Sequence, residues 1–240
     1  MTAEPRFLPA GDAALVVEFG STIDRALSDR VLALSAVVGG LEGVLVTVPT
    51  FRSLLVQYDP LRTSAQTLEA DIRTKLEHRS QTGGPVRRWH LPACYDDGFA
   101  PDLAEVAERT NHSVADVIRL HTETEFRVYV VGFVPGYGFL GGLPQELYLP
   151  RRAEPRVRVP AGSVGIALNL TGVYPQESPG GWHLIGACPV RFFDAQAERP
   201  SLFMPGDKVR FERVSAPEYE RLKEAVAKRA YTPPFEEVAP

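Results

Sequence analysis

Arg151, Arg152, Arg156 and Arg158 crowd one short stretch, interleaved with proline and valine. In an extended chain, side chains two apart share a face, so Arg156 and Arg158 are expected to point together, with Arg152 nearby. Convergent guanidinium forks suit a carboxylate or a phosphate. A solvated edge strand protected by charge is the competing reading. Just upstream runs Gly132-Phe-Val-Pro-Gly-Tyr-Gly-Phe-Leu-Gly-Gly142. There Phe133, Tyr137 and Phe139 are candidates for a pocket wall, and Gly136 lets backbone N–H groups face an anion or a carbonyl oxygen. The same composition also suits a tight corner between strands. Ser163, Asn169, Thr171 and Tyr174 add polar groups downstream. Ser178 and Trp182 bracket a rigid Pro-Gly-Gly turn expected to present its indole to a ligand or to a partner protein.

No catalytic residue can be singled out from the sequence. It contains no G-x-S-x-G elbow, no H-E-x-x-H and no phosphate-binding P-loop. Gly136, Gly138 and Gly141 have dinucleotide-loop spacing, but Pro144 stands where the helix would run, which excludes that reading. The histidines at 78, 90, 112, 121 and 183 lack ligand spacing, so no metal is expected. His121, at the end of an apolar helical stripe, reads as a half-buried residue bonded to backbone.

A net charge of -4 with no basic footprint argues against nucleic acid. The best apolar run, 31–48, is broken by glycines and Glu42, so no membrane span is expected. Cys94 and Cys188 are too few for a disulfide framework and read as reduced thiols, which points to the cytoplasm.

The elements that must position these groups fall into two parts. Over 1–82 the pattern predicts a small α+β domain. Its strands are expected at 14–19, 44–48 and 53–58, with a helix over 24–38 ended by a left-handed Gly39 or Gly40, and a second helix from Ser64. Residues 80–85, polar and glycine-rich before Pro85, read as a linker. Over 86–215, helices near 102–109 and 113–121 precede short strands at 127–131, 164–168, 183–185 and 208–211, a spacing that favours a sandwich or small barrel. A helix near 217–229 and an irregular tail complete the segment 216–240.

Taken in order, several motifs resemble the family of the 5-oxoprolinase B component, also described as Kip-inhibitor-like or allophanate hydrolase subunit 1. They are Gly11-Asp-Ala-Ala-Leu15, Tyr58-Asp-Pro60, the 132–142 glycine loop, Pro150-Arg-Arg152, Pro160-Ala-Gly-Ser-Val164, Thr171-Gly-Val-Tyr-Pro175, Ser178-Pro-Gly-Gly-Trp182 and Pro205-Gly-Asp207. The resemblance implies a mainly-β, cyclophilin-like barrel as the C-terminal domain. It also implies two companions, a cyclophilin-like C component and a LamB/YcsF-like A component, and ATP bound by the complex that opens 5-oxoproline to glutamate. Relatives instead inhibit a sensor histidine kinase, or serve as a carboxyltransferase unit in urea carboxylase. Leu170 stands where the family has glutamine, and Ala187 and Cys188 replace an arginine and a threonine. These departures remove polar groups from the pocket that the resemblance implies.

Overall fold

Residues 4–77 and 84–240 are described by the computed structural model. Strands β1 (Arg6–Pro9), β2 (Ala14–Glu18), β3 (Val44–Pro49) and β4 (Ser53–Tyr58) form an antiparallel sheet in the order β1-β2-β4-β3. Alternation puts Leu15, Val17, Leu54 and Val56 on one face. Helices α1 (Arg25–Val38) and α2 (Ala65–Glu77) cover that face with Val31, Leu34, Val38, Leu68 and Ile72. Asp24 caps α1 by accepting the Leu27 N–H at 3.1 Å.

Two details differ from the sequence expectation. β1 is additional, a four-residue run that follows Pro5 and ends in Pro9. Gly39 ends α1 in a right-handed conformation (φ -57) and is not the left-handed cap predicted for it. The expected linker lies mostly outside the described residues.

The chain divides between Gly84 and Pro85, and each unit has its own core. The second unit is a closed barrel. Its elements are β5 (Val86–Cys94), α3 (Leu103–Arg109), α4 (Val114–Glu123), β6 (Phe126–Val131), β7 (Gly138–Gly141), β8 (Arg156–Val159), β9 (Ser163–Ala167), β10 (Leu170–Val173), β11 (Ser178–Gly180), β12 (His183–Ala187), β13 (Lys208–Val214), α5 (Ala216–Ala227) and β14 (Phe235–Val238). The sheet runs β12-β9-β10-β7-β6-β13-β5-β14, and pairing of Ala187 with Cys94 closes it between β12 and β5. Closure removes the exposed edges that a flat sheet would carry.

Leu91, Val128, Leu140, Val164, Ile166, Ile185, Val209 and Phe211 fill the interior, joined by Val106 of α3 and by Val117 and Ile118 of α4. Ser113 caps α4 as its spacing with Asp116 predicts, accepting the Asp116 N–H at 3.1 Å. Asp207, nearly fully buried, accepts from the Trp89 indole and from the Met204 and Arg87 amides, and so pins the turn before β13 to β5. The tail is not irregular: β14 pairs with β5, and Phe235 packs on Trp89 at 4.9 Å beneath the Arg87 guanidinium. A separate ribbon joins β8 to β11 and stands beside the site.

Candidate functional site

The 132–137 turn is tightly wound, with Gly132 N–H donating to Tyr137 O at 3.0 Å and Tyr137 N–H to Val134 O at 3.1 Å. Phe133 is held at φ +72, a region that bulky residues seldom adopt, and stays 62% exposed. Gly136 has φ +81, and any Cβ there would lie 2.7 Å from the Phe192 carbonyl oxygen. Only glycine fits, so Gly136 shapes the corner by packing on Phe192 and does not line a pocket. Both readings of this loop therefore hold at once: it is a tight corner, and its aromatics wall a recess.

Tyr137 is the hub of that wall. Its ring centroid lies 5.7 Å from Phe133, 4.8 Å from Phe139, 5.3 Å from Tyr174 and 5.9 Å from Trp182, mostly edge to face. Such arrangements satisfy the ring quadrupoles and fix the rings relative to one another. Together with Arg151, Pro179, Gly180 and Gly181 these five rings enclose a recess of about 140 Å³. Trp182 is only 5% exposed in this chain, and its indole is a wall of the recess. Ser178 is likewise buried, at 8% exposure. The Pro-Gly-Gly turn, which carries little side-chain bulk, folds back and brings the indole inward.

Arg151 supplies the cation. The Arg152 N–H donates to Gly181 O at 2.8 Å, and His183 Nε2 donates to Pro150 O at 2.9 Å, so residues 150–152 are stitched to Gly181 and His183 on either side of Trp182. The guanidinium lies close enough to favour the ionised form of both phenols. Among the described residues no carboxylate pairs with it. Burial nevertheless raises both phenols above their ordinary range, Tyr137 most strongly, and they stay neutral.

The other three arginines behave differently from the expectation. Arg152 and Arg156 converge on Asp102, whose side chain is 5% exposed, while Arg158 pairs with Glu177 and is 76% exposed. Arg156 and Arg158 thus do not point together at one ligand. The short β8 strand twists within its two-stranded ribbon and is paired irregularly, so a spacing of two no longer fixes a common direction. Asp102 went unmarked in the sequence because its partners are distant in the chain. Its Oδ2 also accepts the Leu184 N–H at 2.7 Å, making it the anchor that ties α3 to β12.

The remaining polar candidates stand apart from the recess lining. Ser163 is buried at the start of β9. Asn169 sits on the turn between β9 and β10. Thr171 points into the barrel core: it donates to Gly165 O at 3.0 Å and accepts from His121 Nε2 at 2.9 Å. Because the Thr171 proton is committed to Gly165, His121 carries its hydrogen on Nε2, and its Nδ1 accepts from the Tyr95 hydroxyl at 2.8 Å. His121 is therefore fully buried and bonded to side chains, not half-buried and bonded to backbone. Its desolvation lowers the imidazole pKa to about 3.

The family departures also miss the recess. Leu170 is a buried barrel residue, and Ala187 and Cys188 belong to the closure, where Cys188 N–H donates to Gly162 O at 2.7 Å. A larger cleft of about 240 Å³ lies among Arg191, Phe193, Asp194, Arg229 and Tyr231. Two of its arginines are engaged by Asp194, which leaves the smaller recess as the better-defined site. No cluster of His, Cys, Asp or Glu among the described residues is arranged to hold a metal.

The carboxyltransferase domain family, subdomain C and D, matches residues 5–203. The chain belongs to this family. Within it, the chain is 37% identical over 237 residues to the B component of 5-oxoprolinase from Bacillus subtilis (strain 168), covering 93% of this chain and 99% of that protein. The crystal structure of TTHA0988 superposes with a TM-score of 0.75 at 37% identity over 85% of this chain. Urea amidolyase of K. lactis shares the fold, with a TM-score of 0.81 at 20% identity over 98% of this chain. This chain spans 40% of the length of TTHA0988 and 16% of that of the amidolyase. The carboxyltransferase unit is thus found both as a separate chain and as a segment of longer ones.

Proposed function

We propose that this chain is the B component of a 5-oxoprolinase complex and that its aromatic recess receives the substrate. The observation that carries the reading is the near full-length likeness to the Bacillus subtilis B component. The recess suits the chemistry: 5-oxoproline is a small lactam with a planar amide and one carboxylate, and aromatic faces with a single unpaired guanidinium complement both parts. Two companions, a cyclophilin-like C component and a LamB/YcsF-like A component, complete the machine in this reading, and ATP is bound by the assembly. Reduced, buried Cys94 and Cys188 fit a cytoplasmic setting. No helix among the described residues is long and apolar enough to cross a membrane.

Co-purified with its companions, the chain should support release of glutamate and ADP from 5-oxoproline and ATP. Equal turnover by a preparation lacking only this chain would overturn the assignment.

A further inference from the structure

Phe133 departs from the local rules of its turn. Its backbone sits at φ +72, where a side chain meets a steric cost that glycine escapes. Its ring stays 62% exposed, although burying a phenylalanine would stabilise the fold. The neighbouring Gly132 lies outside the left-handed region, and a Cβ there would meet nothing within 4 Å. The turn thus carries glycine where a side chain fits and phenylalanine where glycine would. Strain of this kind persists where the surroundings enforce it, and it clusters at ligand clamps. The enforcement is visible: hydrogen bonds from Gly132 to Tyr137 and from Tyr137 to Val134 close the turn, and Gly136 is wedged against the Phe192 carbonyl.

Among the five rings that line the recess, Tyr137, Tyr174 and Trp182 are buried and form its floor. Phe133 is the most exposed and stands at the rim with Arg151 and Pro179, its plane 85° from that of Tyr137. A small ring seated on that floor is bordered on its outer side by Phe133, whose apolar surface it covers. We infer that Phe133 is a specificity-determining residue: its ring closes over a five-membered lactam whose carboxylate Arg151 holds, and it limits the ring size that the recess accepts. This rests on the substrate reading above and deepens it. The closed turn keeps Phe133 from retreating, and a recess of about 140 Å³ has little room to spare, so one added methylene is felt.

The test uses the assembled complex with ATP, 5-oxoproline and, as competing ligand, the six-membered homologue 6-oxopiperidine-2-carboxylate. In the wild type the homologue should bind at least about tenfold more weakly than 5-oxoproline. Phe133→Gly suits the backbone, so the complex still assembles. Its KM for 5-oxoproline should rise about tenfold with kcat changed by less than about threefold, and its preference for the smaller ring should shrink to about threefold or less. Phe133→Tyr should keep both the KM and the preference. An unmoved KM in the glycine variant defeats the role given to Phe133, and so does a tyrosine variant that behaves like the glycine one. A size preference that survives loss of the ring also defeats it, because the limit then lies in the buried floor. A wild-type complex that releases no glutamate defeats the substrate reading itself and takes this inference with it.

Discussion

Arg151 and Arg158 are near neighbours in sequence with opposite expected importance. Arg151 is the guanidinium at the recess, so Arg151→Gln should raise KM for 5-oxoproline about tenfold or more with the fold intact. Arg158→Ala removes a pair that is 76% exposed, and urea unfolding should place its effect within about 0.5 kcal/mol. Asp102→Ala belongs to a third kind. It strands two arginines and the Leu184 amide around a site that is 5% exposed, and equilibrium unfolding should show a loss of about 3 kcal/mol or more. At this scale the sequence was only partly legible. The aromatics Phe133, Tyr137 and Phe139 declared themselves through the glycines around them. Which of four arginines faces the ligand depends on Asp102, some fifty residues upstream, and short-range spacing carries no trace of that pairing.

Elements with steady periodicity were readable, and those shaped by long-range pairing were not. The β-branched run of β6 and the striped α4 follow directly from local pattern. β7, β10 and β11 are three or four residues long and rich in glycine, and their pairing supplies the order that composition does not. β14 likewise exists because Trp89 and Arg87 offer Phe235 a surface. In α4, His121 makes stability depend on acid. Its pKa is about 3 when folded against an ordinary value of 6.5, so between these values the unfolded chain binds a proton that the folded one refuses. Stability is then lost as pH falls through that window. Between about pH 7.5 and about pH 5, unfolding of the wild type should lose about 2 kcal/mol more than unfolding of His121→Gln. A parallel decline in both proteins would refute the assignment.

Across the whole molecule, closure of the barrel governs both access and reactivity. Cys94 and Cys188 sit where β5 and β12 meet, both inaccessible, and burial pushes the Cys188 thiol up to about 12. Neither thiol should react with an aromatic disulfide reagent in the native protein at mildly alkaline pH, and both should react on unfolding. The residues that replace the family's usual polar groups, Leu170, Ala187 and Cys188, are part of this shell. Their chemistry therefore bears on packing and leaves the recess complete.

The decisive measurement is a crystal structure of the assembled complex with 5-oxoproline bound. The ligand should lie among Tyr137, Phe139 and Trp182, its carboxylate bonded to Arg151. A ligand seated instead in the cleft between Arg191 and Arg229, or on a companion protein with the aromatic recess empty, would contradict the assignment.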